Sequence, residues 1–420
     1  MTMSPTARRG WIVVATTFVT MGLTYGVWYC YAVFLVAFLR EFGWSRTVVA
    51  GAFSTAALVQ GFACPLIGWA ASRFGPRRVI VAGGSLLALG LLFAAETTRP
   101  WHLYLSFGGA VAIGIASSGF IPSVLLVSDW FPSRVGTSLG IASAGIGFGM
   151  AALQPAAQYL IEETGLRWTF RILAVLVAAW IIPATLWLIR DPPRQPRASI
   201  AEAAAGGAPR SPGSHWTLAT AFRTWRFWGV LGVFLAGNSV TQMLLVHQVA
   251  FLVDHGVPAL TAASVGSVVG VTSILAKMGW GALSDRAGRE LAYVLAFACV
   301  LGSVGALALS GVLPETPLPY LYGVLIGVGY AVIAPLTPAI VRDLFGGARF
   351  STIFGTLHVG NSLGSALGAW SAGRIHDLTG SYAWALVLGA CLAVAAPLLV
   401  ILVAPRRPLP PPARFDSDRR

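Results

Sequence analysis

The chain has 420 residues, a formal net charge of +13, 56% hydrophobic residues and only 10% charged ones. A soluble domain carries about 25% charged residues, so the composition excludes a soluble enzyme of this length, and the apolar content excludes disorder. The basic residues sit in short clusters between apolar stretches, which excludes a nucleic-acid-binding face and leaves a polytopic membrane protein.

The first apolar run follows Arg8 and Arg9 and continues past Trp28 without a small-residue cleavage site. It reads as an uncleaved first span. A bilayer core about 30 Å thick needs roughly 20 apolar residues per helix. Runs of that length occur at 11–38, 46–71, 79–96, 101–128, 136–161 and 168–189, and again at 227–253, 260–283, 291–313, 318–341, 350–373 and 381–404. The pattern predicts an all-α membrane protein with twelve transmembrane helices. The first and eleventh runs are long and Gly-rich, so tilt or kinks are expected there.

The organisation that follows is a six-helix bundle over 1–190, a linker over 191–224, a second six-helix bundle over 225–404 and a tail over 405–420. The linker carries Asp191-Pro192-Pro193, Gly206-Gly207 and Ser211-Pro212-Gly213, a flexible composition. A short amphipathic helix around Phe222–Trp228 is expected at the membrane interface. With the N-terminus in the cytoplasm, 21 arginines fall on the cytoplasmic side and 6 on the other. The positive-inside rule then places both termini, the linker and the tail in the cytoplasm. The expected location is a bacterial inner membrane, with the lipid bilayer as surroundings and a monomeric protein.

Cys30, Cys64, Cys299 and Cys391 all lie in apolar stretches. Scattered thiols of this kind are read as packing residues, not as a metal site.

The two halves repeat. Gly68, Arg73, Gly75 and Pro122 match Gly281, Arg286, Gly288 and Pro335, each 213 positions later. Arg134, Gly140, Gly145 and Gly149 match Arg349, Gly355, Gly360 and Gly364, each 215 later. Internal repeats with a site at their interface characterise secondary transporters.

The segment Gly281-Ala282-Leu283-Ser284-Asp285-Arg286-Ala287-Gly288-Arg289 resembles the signature loop of the major facilitator superfamily, between helices 8 and 9. Gly68 to Arg78 resembles its first-half copy, with Ser72 where the acidic residue belongs. Three further segments are similar to the monocarboxylate porter branch and its oxalate/formate antiporter relatives. They are Glu41-Phe42-Gly43-Trp44-Ser45-Arg46, Asp129-Trp130-Phe131-Pro132-Ser133-Arg134 with Gly140 and Ala144-Gly145, and Gly373-Arg374-Ile375-His376-Asp377-Leu378-Thr379-Gly380-Ser381-Tyr382. The signature loop is expected to hold a gate latch built on Asp285, Arg286 and Arg289, with Arg73 and Arg77 in the first half. Asp285 can sit at a positive helix N-terminus, and a charge cluster that forms in one state and breaks in another can switch the protein. The alternative for these arginines is a plain positive-inside anchor.

Ionisable residues within spans are the functional candidates. Lys277, in helix 8, is the only lysine in the chain. It shares a helical stripe with Gly281 and Asp285 at i+4 and i+8. An ammonium facing a cavity anchors a carboxylate; the competing role is snorkelling to the interface. The resemblance implies the first role, since the matching position in those families carries an Arg that binds the substrate carboxylate. The Asp that monocarboxylate transporters often place one turn earlier is Ser273 here, and the second lysine of the oxalate antiporter aligns with Asn361. One buried positive charge favours a monoanion.

His247 and His358 are the other titratable candidates, as hydrogen-bonding groups or proton relays or as histidines satisfied by packing. Asn238 and Asn361 are candidate ligands or interhelical glue. Tyr25 and Tyr29 share a face of helix 1 and Tyr330 lies in helix 10, each a candidate to line the cavity. No Walker loop is present, so no nucleotide cofactor is expected and a proton gradient supplies the energy.

The function expected is secondary transport of a small organic monocarboxylate such as lactate or pyruvate, with proton symport and alternating access. An anion exchanger or an exporter of a larger amphipathic metabolite is the rival within transport. A membrane-embedded enzyme or a sensor is the rival class. The enzyme would need clustered His or carboxylates at membrane depth, so no catalytic and no metal-binding residue is assigned.

Overall fold

The computed structural model describes residues 5–131, 135–189, 216–347 and 349–403. Pro132, Ser133 and Arg134 of the helix 4–5 motif, most of the expected linker and the tail lie outside the described residues. Among the described residues all regular structure is helical.

Twelve long helices follow in order: α1 (Arg8–Phe42), α2 (Arg46–Phe74), α3 (Pro76–Ala95), α4 (Pro100–Trp130), α5 (Val135–Thr164) and α6 (Leu166–Trp187), then α7 (Trp225–Asp254), α8 (Ala259–Ala287), α9 (Arg289–Ser310), α10 (Leu318–Phe345), α11 (Phe350–Thr379) and α12 (Ala383–Val403). Eleven are long and apolar enough to cross a membrane. The twelfth, α11, has 30 residues and the length to span, but it carries His358, Asn361, Ser362 and Ser365 along its middle. The weaker apolarity belongs to a helix that faces polar space on one side.

The expected interfacial helix over Phe222–Trp228 is corrected. A short helix covers Leu218–Phe222, and α7 begins separately at Trp225. Thr224 breaks the continuity because its side chain accepts from the Phe227 amide as an N-cap.

Three helices are interrupted. α1 breaks at Cys30, not at a glycine, and the Val33 amide turns to the Cys30 carbonyl. The Gln154 Nε2 of α5 donates to the Tyr29 carbonyl at 3.0 Å beside that break. α4 breaks at Gly119, and α10 at Ala331 and Val332. Each of these precedes a proline, Pro122 or Pro335, whose ring displaces the carbonyl four residues back. Gly119 and Val332 are 213 positions apart, so the repeat reproduces the break. α11, expected to kink, is continuous over its length.

The repeat is also visible in packing. A β-carbon at Gly145 or Gly149 of α5 would strike the Phe18 or Gly22 carbonyl of α1. One at Gly360 or Gly364 of α11 would strike the Leu231 or Leu235 carbonyl of α7. These partners are again 213 positions apart, so α1 packs on α5 as α7 packs on α11. The loops after α2 and α8 turn through Gly75 at φ 93° and Gly288 at φ 95°, where a side chain would be strained.

The first six helices meet the last six through α2 against α11, α5 against α8, and the second part of α1 against α7. These contacts concentrate at one end of the bundle, the end bearing Arg46, called here the far side. At the opposite end, the terminus side, Gly140 of α5, Gly281 of α8 and Gly355 of α11 meet nothing within 4 Å among the described residues. Their positions place them on the faces that pair at mid-depth, so the helices have parted there. The structure is closed on the far side and open on the terminus side.

Candidate functional site

Lys277 decides where the polar interior lies. At about 100° per residue, Val271, Leu275 and Met278 form one stripe of α8; Leu275 is 69% and Met278 75% exposed. That is the lipid-facing surface. Lys277 lies on the other side of the helix, on a stripe with the buried Ser273 and Ser284. Its ammonium stands 6.0 Å from the centre of the Tyr330 ring of α10, within cation–π range. It therefore points into the protein and does not snorkel along the lipid face.

The Tyr330 hydroxyl in turn lies beside those of Ser273 and of Tyr29, without completing a hydrogen bond. Tyr29 comes from α1, so this cluster joins the first and last six helices. Tyr25, one turn from Tyr29, packs toward the break in α4, where a β-carbon at Gly119 would touch its ring. On α11, His358, Asn361 and Ser365 share the stripe between the α7-facing and α2-facing sides. The Asn361 carboxamide oxygen is buried without a hydrogen-bond partner, and His358 is exposed with its ring 5.8 Å from Phe354.

No hydrogen bond or ion pair to Lys277 is found among the described residues. Every described Asp and Glu lies close to a helix end. A lone cation beside an unsatisfied Tyr330 hydroxyl is incomplete as a structural element. An anion that also accepts a hydrogen bond would complete it.

Residues 17–333 match the family described as the Major Facilitator Superfamily. The chain is 30% identical over 408 residues to monocarboxylate transporter 13 of Bos taurus, covering 95% of this chain and 90% of that protein. The chain belongs to the monocarboxylate transporter branch of the major facilitator superfamily. It is 29% identical over 406 residues to monocarboxylate transporter 13 of Rattus norvegicus, with 96% and 90% covered. Monocarboxylate transporter 2 of Homo sapiens is 24% identical over 412 residues, with 95% and 86% covered.

In this facilitator, not every candidate read from the sequence joins the central cluster. Asn238 is buried and its Nδ2 reaches the Phe234 carbonyl of its own helix at 3.4 Å. His247 takes the second of the two roles read for it, a histidine satisfied by packing: both ring nitrogens are engaged on the far side. Nδ1 lies 2.9 Å from the Tyr382 hydroxyl and Nε2 2.9 Å from the Ala369 carbonyl. A histidine on an apolar face gives no sign in the sequence of whether a carbonyl waits opposite it.

The far-side closure is the site that sequence reasoning missed. Arg46, the first residue of α2, reaches Asp254 at the end of α7 at 2.8 Å and donates to the Tyr382 hydroxyl at 2.7 Å. Asp377, near the end of α11, accepts from the Arg46 and Thr47 amides at 3.1 and 2.7 Å. A carboxylate from one half thus caps the positive end of a helix in the other. Two of the motif segments, Glu41–Arg46 and Gly373–Tyr382, meet here. Their presence was legible; their partnership across more than 300 residues was not.

The signature-loop residues pair within their own halves. Arg289 donates to Asp285 Oδ1 and Ser284 Oγ, both at 2.7 Å, and to Asp343 of α10 at 3.2 Å. Arg77 donates to the Thr185 carbonyl of α6 at 3.1 Å and to that of Leu186. Arg73 stands over the Phe74 ring, and Arg286 is exposed. On this open side the loops after α2 and α8 anchor helices inside each half. All four thiols are free; Cys391 is exposed on α12, contrary to a buried packing role.

Proposed function

We propose that this protein carries a small organic monoanion, a monocarboxylate of the lactate or pyruvate class, across an inner (cytoplasmic) membrane. Residues 1–190 and 225–404 act as two bundles that rock around a central site, with both termini in the cytoplasm and the monomer as the working unit. In that orientation the terminus side is cytoplasmic and the structure is the inward-open state. The observation that carries the reading is the Lys277 ammonium, turned away from lipid into the space between the halves and lacking any carboxylate partner among the described residues.

Lys277 anchors the substrate carboxylate. Tyr330, Tyr29, Asn361 and Ser273 supply donors and aromatic walls. An empty desolvated ammonium is costly, as is a desolvated carboxylate without a cation. Substrate and the proton on Lys277 therefore stabilise one another, and the pair crosses as a neutral unit. Proton symport then needs no carboxylate at mid-membrane. Exchange of one anion for another is the second reading, favoured by the same lone cation if the site never returns empty.

The test is uptake of a panel of labelled monocarboxylates into proteoliposomes, with and without an imposed pH gradient. Uptake driven by an acid exterior supports symport. Uptake that requires internal substrate and ignores the gradient selects the exchanger. Absence of transport of any monocarboxylate by folded protein overturns the assignment.

A further inference from the structure

Two serine hydroxyls cross between the halves in matched positions. Ser54 of α2 donates to the Ala366 carbonyl of α11 at 2.7 Å, sharing its proton with the Ala50 carbonyl at 3.1 Å. Ser267 of α8 donates to the Ala151 carbonyl of α5 at 2.6 Å. Ser54 and Ser267 are 213 positions apart, and Ala151 and Ala366 are 215 apart. Those are the two registers of the internal repeat. The bonds are therefore copies of one another on opposite flanks of the central cavity.

Their surroundings repeat as well. A β-carbon at Gly61 of α2 would meet Ser362 of α11, and one at Gly147 of α5 would meet Ile274 of α8. These are again pairs related by 213 and 215. Beyond them toward the terminus side, Gly140, Gly281 and Gly355 stand clear of any neighbour among the described residues. Beyond the serines on the far side lie the Arg46, Asp254 and Asp377 contacts. The serine bonds thus sit between the far-side contacts and the last packed glycine contacts of both interfaces.

Halves related by an axis along the membrane normal place equivalent residues at equal depth. Two fixed contacts at equal depth, one on each flank, define a line through the molecule. We propose that the Ser54–Ala366 and Ser267–Ala151 hydrogen bonds are the pivot of the transport cycle, kept while contacts above and below them exchange. This rests on the alternating-access reading above. The acceptors suit the role: a helical carbonyl keeps its own ladder bond and offers its second lone pair, so neither helix unwinds to accept the serine.

A latch and a pivot have opposite signatures. A bond made in only one state biases the populations when removed. A bond kept in both states does not bias them. At the crossing point, however, the far-side contacts are already broken and the terminus-side contacts are not yet formed. In each end state the packed contacts on one side still hold the interface when a serine is lost, whereas at the crossing only the pivot holds it; the loss therefore costs the crossing more than either end state and slows the passage in both directions.

The experiment is single-molecule energy transfer on the full chain in lipid nanodiscs, with one dye at the terminus-side end of each half. Two interconverting transfer states in the wild type are the control for alternating access, and a single state would fault that reading itself; Arg46→Ala should shift the populations toward the far-side-open state. Ser54→Ala, Ser267→Ala and the double variant should leave the ratio of states within about twofold of wild type. The double variant should slow both interconversion rates several-fold, with the two single variants alike. A tenfold change in the ratio, or unchanged rates in the double variant while Arg46→Ala behaves as expected, overturns the pivot. The single variants decide the question if the double does not fold.

Discussion

Arg46 and Asp254 form an ion pair at 2.8 Å between the start of α2 and the end of α7. The Arg46 side chain is 14% exposed, and it also donates to the buried Tyr382 hydroxyl. Exposed ion pairs contribute little, but a guanidinium with two acceptors in a partly dry site contributes about 1.5–3 kcal/mol. All of this is lost when the far side opens.

Removing it should therefore move the resting state. Arg46→Ala or Asp254→Asn should raise the far-side-open population by about tenfold or more, in keeping with a loss above 1.4 kcal/mol. Thiol labelling of a cysteine introduced on the cavity wall, from the far side of right-side-out vesicles, reads this out. Unchanged labelling rates would remove the latch role.

The two histidines should separate. His247 is held by Tyr382 and the Ala369 carbonyl, so His247→Gln should loosen the far-side closure and alter the populations as Arg46→Ala does, more weakly. His358 is exposed on the polar stripe of α11. If it carries the coupled proton, His358→Gln should change the pH profile of uptake and leave the populations near wild type. Unchanged pH profiles in both variants would leave the Lys277 ammonium or the substrate carboxyl as the carrier.

Gly140 and Gly281 face open space on the parted ends of α5 and α8. A leucine at either position costs little in this state. It would occupy the surface on which those ends meet when the terminus side closes. Gly140→Leu and Gly281→Leu should fold normally, with a melting temperature within a few degrees of wild type, yet lose most transport. Leucine at Gly149 or Gly364 should instead abolish folding, because the Gly22 and Leu235 carbonyls of neighbouring helices cannot give way. Normal transport by Gly140→Leu would show that these ends never meet.

Much of the fold was legible because hydropathy and repetition are both local in sequence. Twelve runs gave twelve helices, and the 213-residue register that pairs Pro122 with Pro335 also pairs the breaks in α4 and α10, which the sequence reading did not expect. The fold kept back what depends on partners. α1 breaks at Cys30 beside a Gln154 amide that reaches in from α5, and no glycine count shows that. The same limit hid Asp377, which caps a helix start 331 residues away. Lys277 was legible for a different reason: it is the one lysine in the chain, on one helical stripe with Gly281 and Asp285. Its neighbour Tyr330 and the Tyr29 beside that ring's hydroxyl were named as candidates, but their meeting was not foreseeable.

The signature loop offers a kinetic test. Asp285 pairs with Arg289 inside the second half, far from the central cluster. Asp285→Asn should slow transport while leaving equilibrium substrate binding within a few fold. Loss of binding in a folded variant would contradict a switching role.

Lys277 remains the sharpest test. Its ammonium has Tyr330 as its aromatic neighbour and no anion among the described residues. Lys277→Gln keeps much of the length and polarity but leaves a desolvated carboxylate without its cation. The loss of one partner of such a pair costs about 3–5 kcal/mol, which corresponds to a fall in uptake of more than a hundredfold at matched expression. Lys277→Arg retains the charge and the family's usual residue, so partial activity is expected. A guanidinium does not release its proton, so uptake by Lys277→Arg should respond far less to an imposed pH gradient than wild type does. If Lys277→Gln, folded and inserted as wild type, still accumulates a monocarboxylate down a pH gradient at near-normal rate, Lys277 is neither the anchor nor the proton carrier.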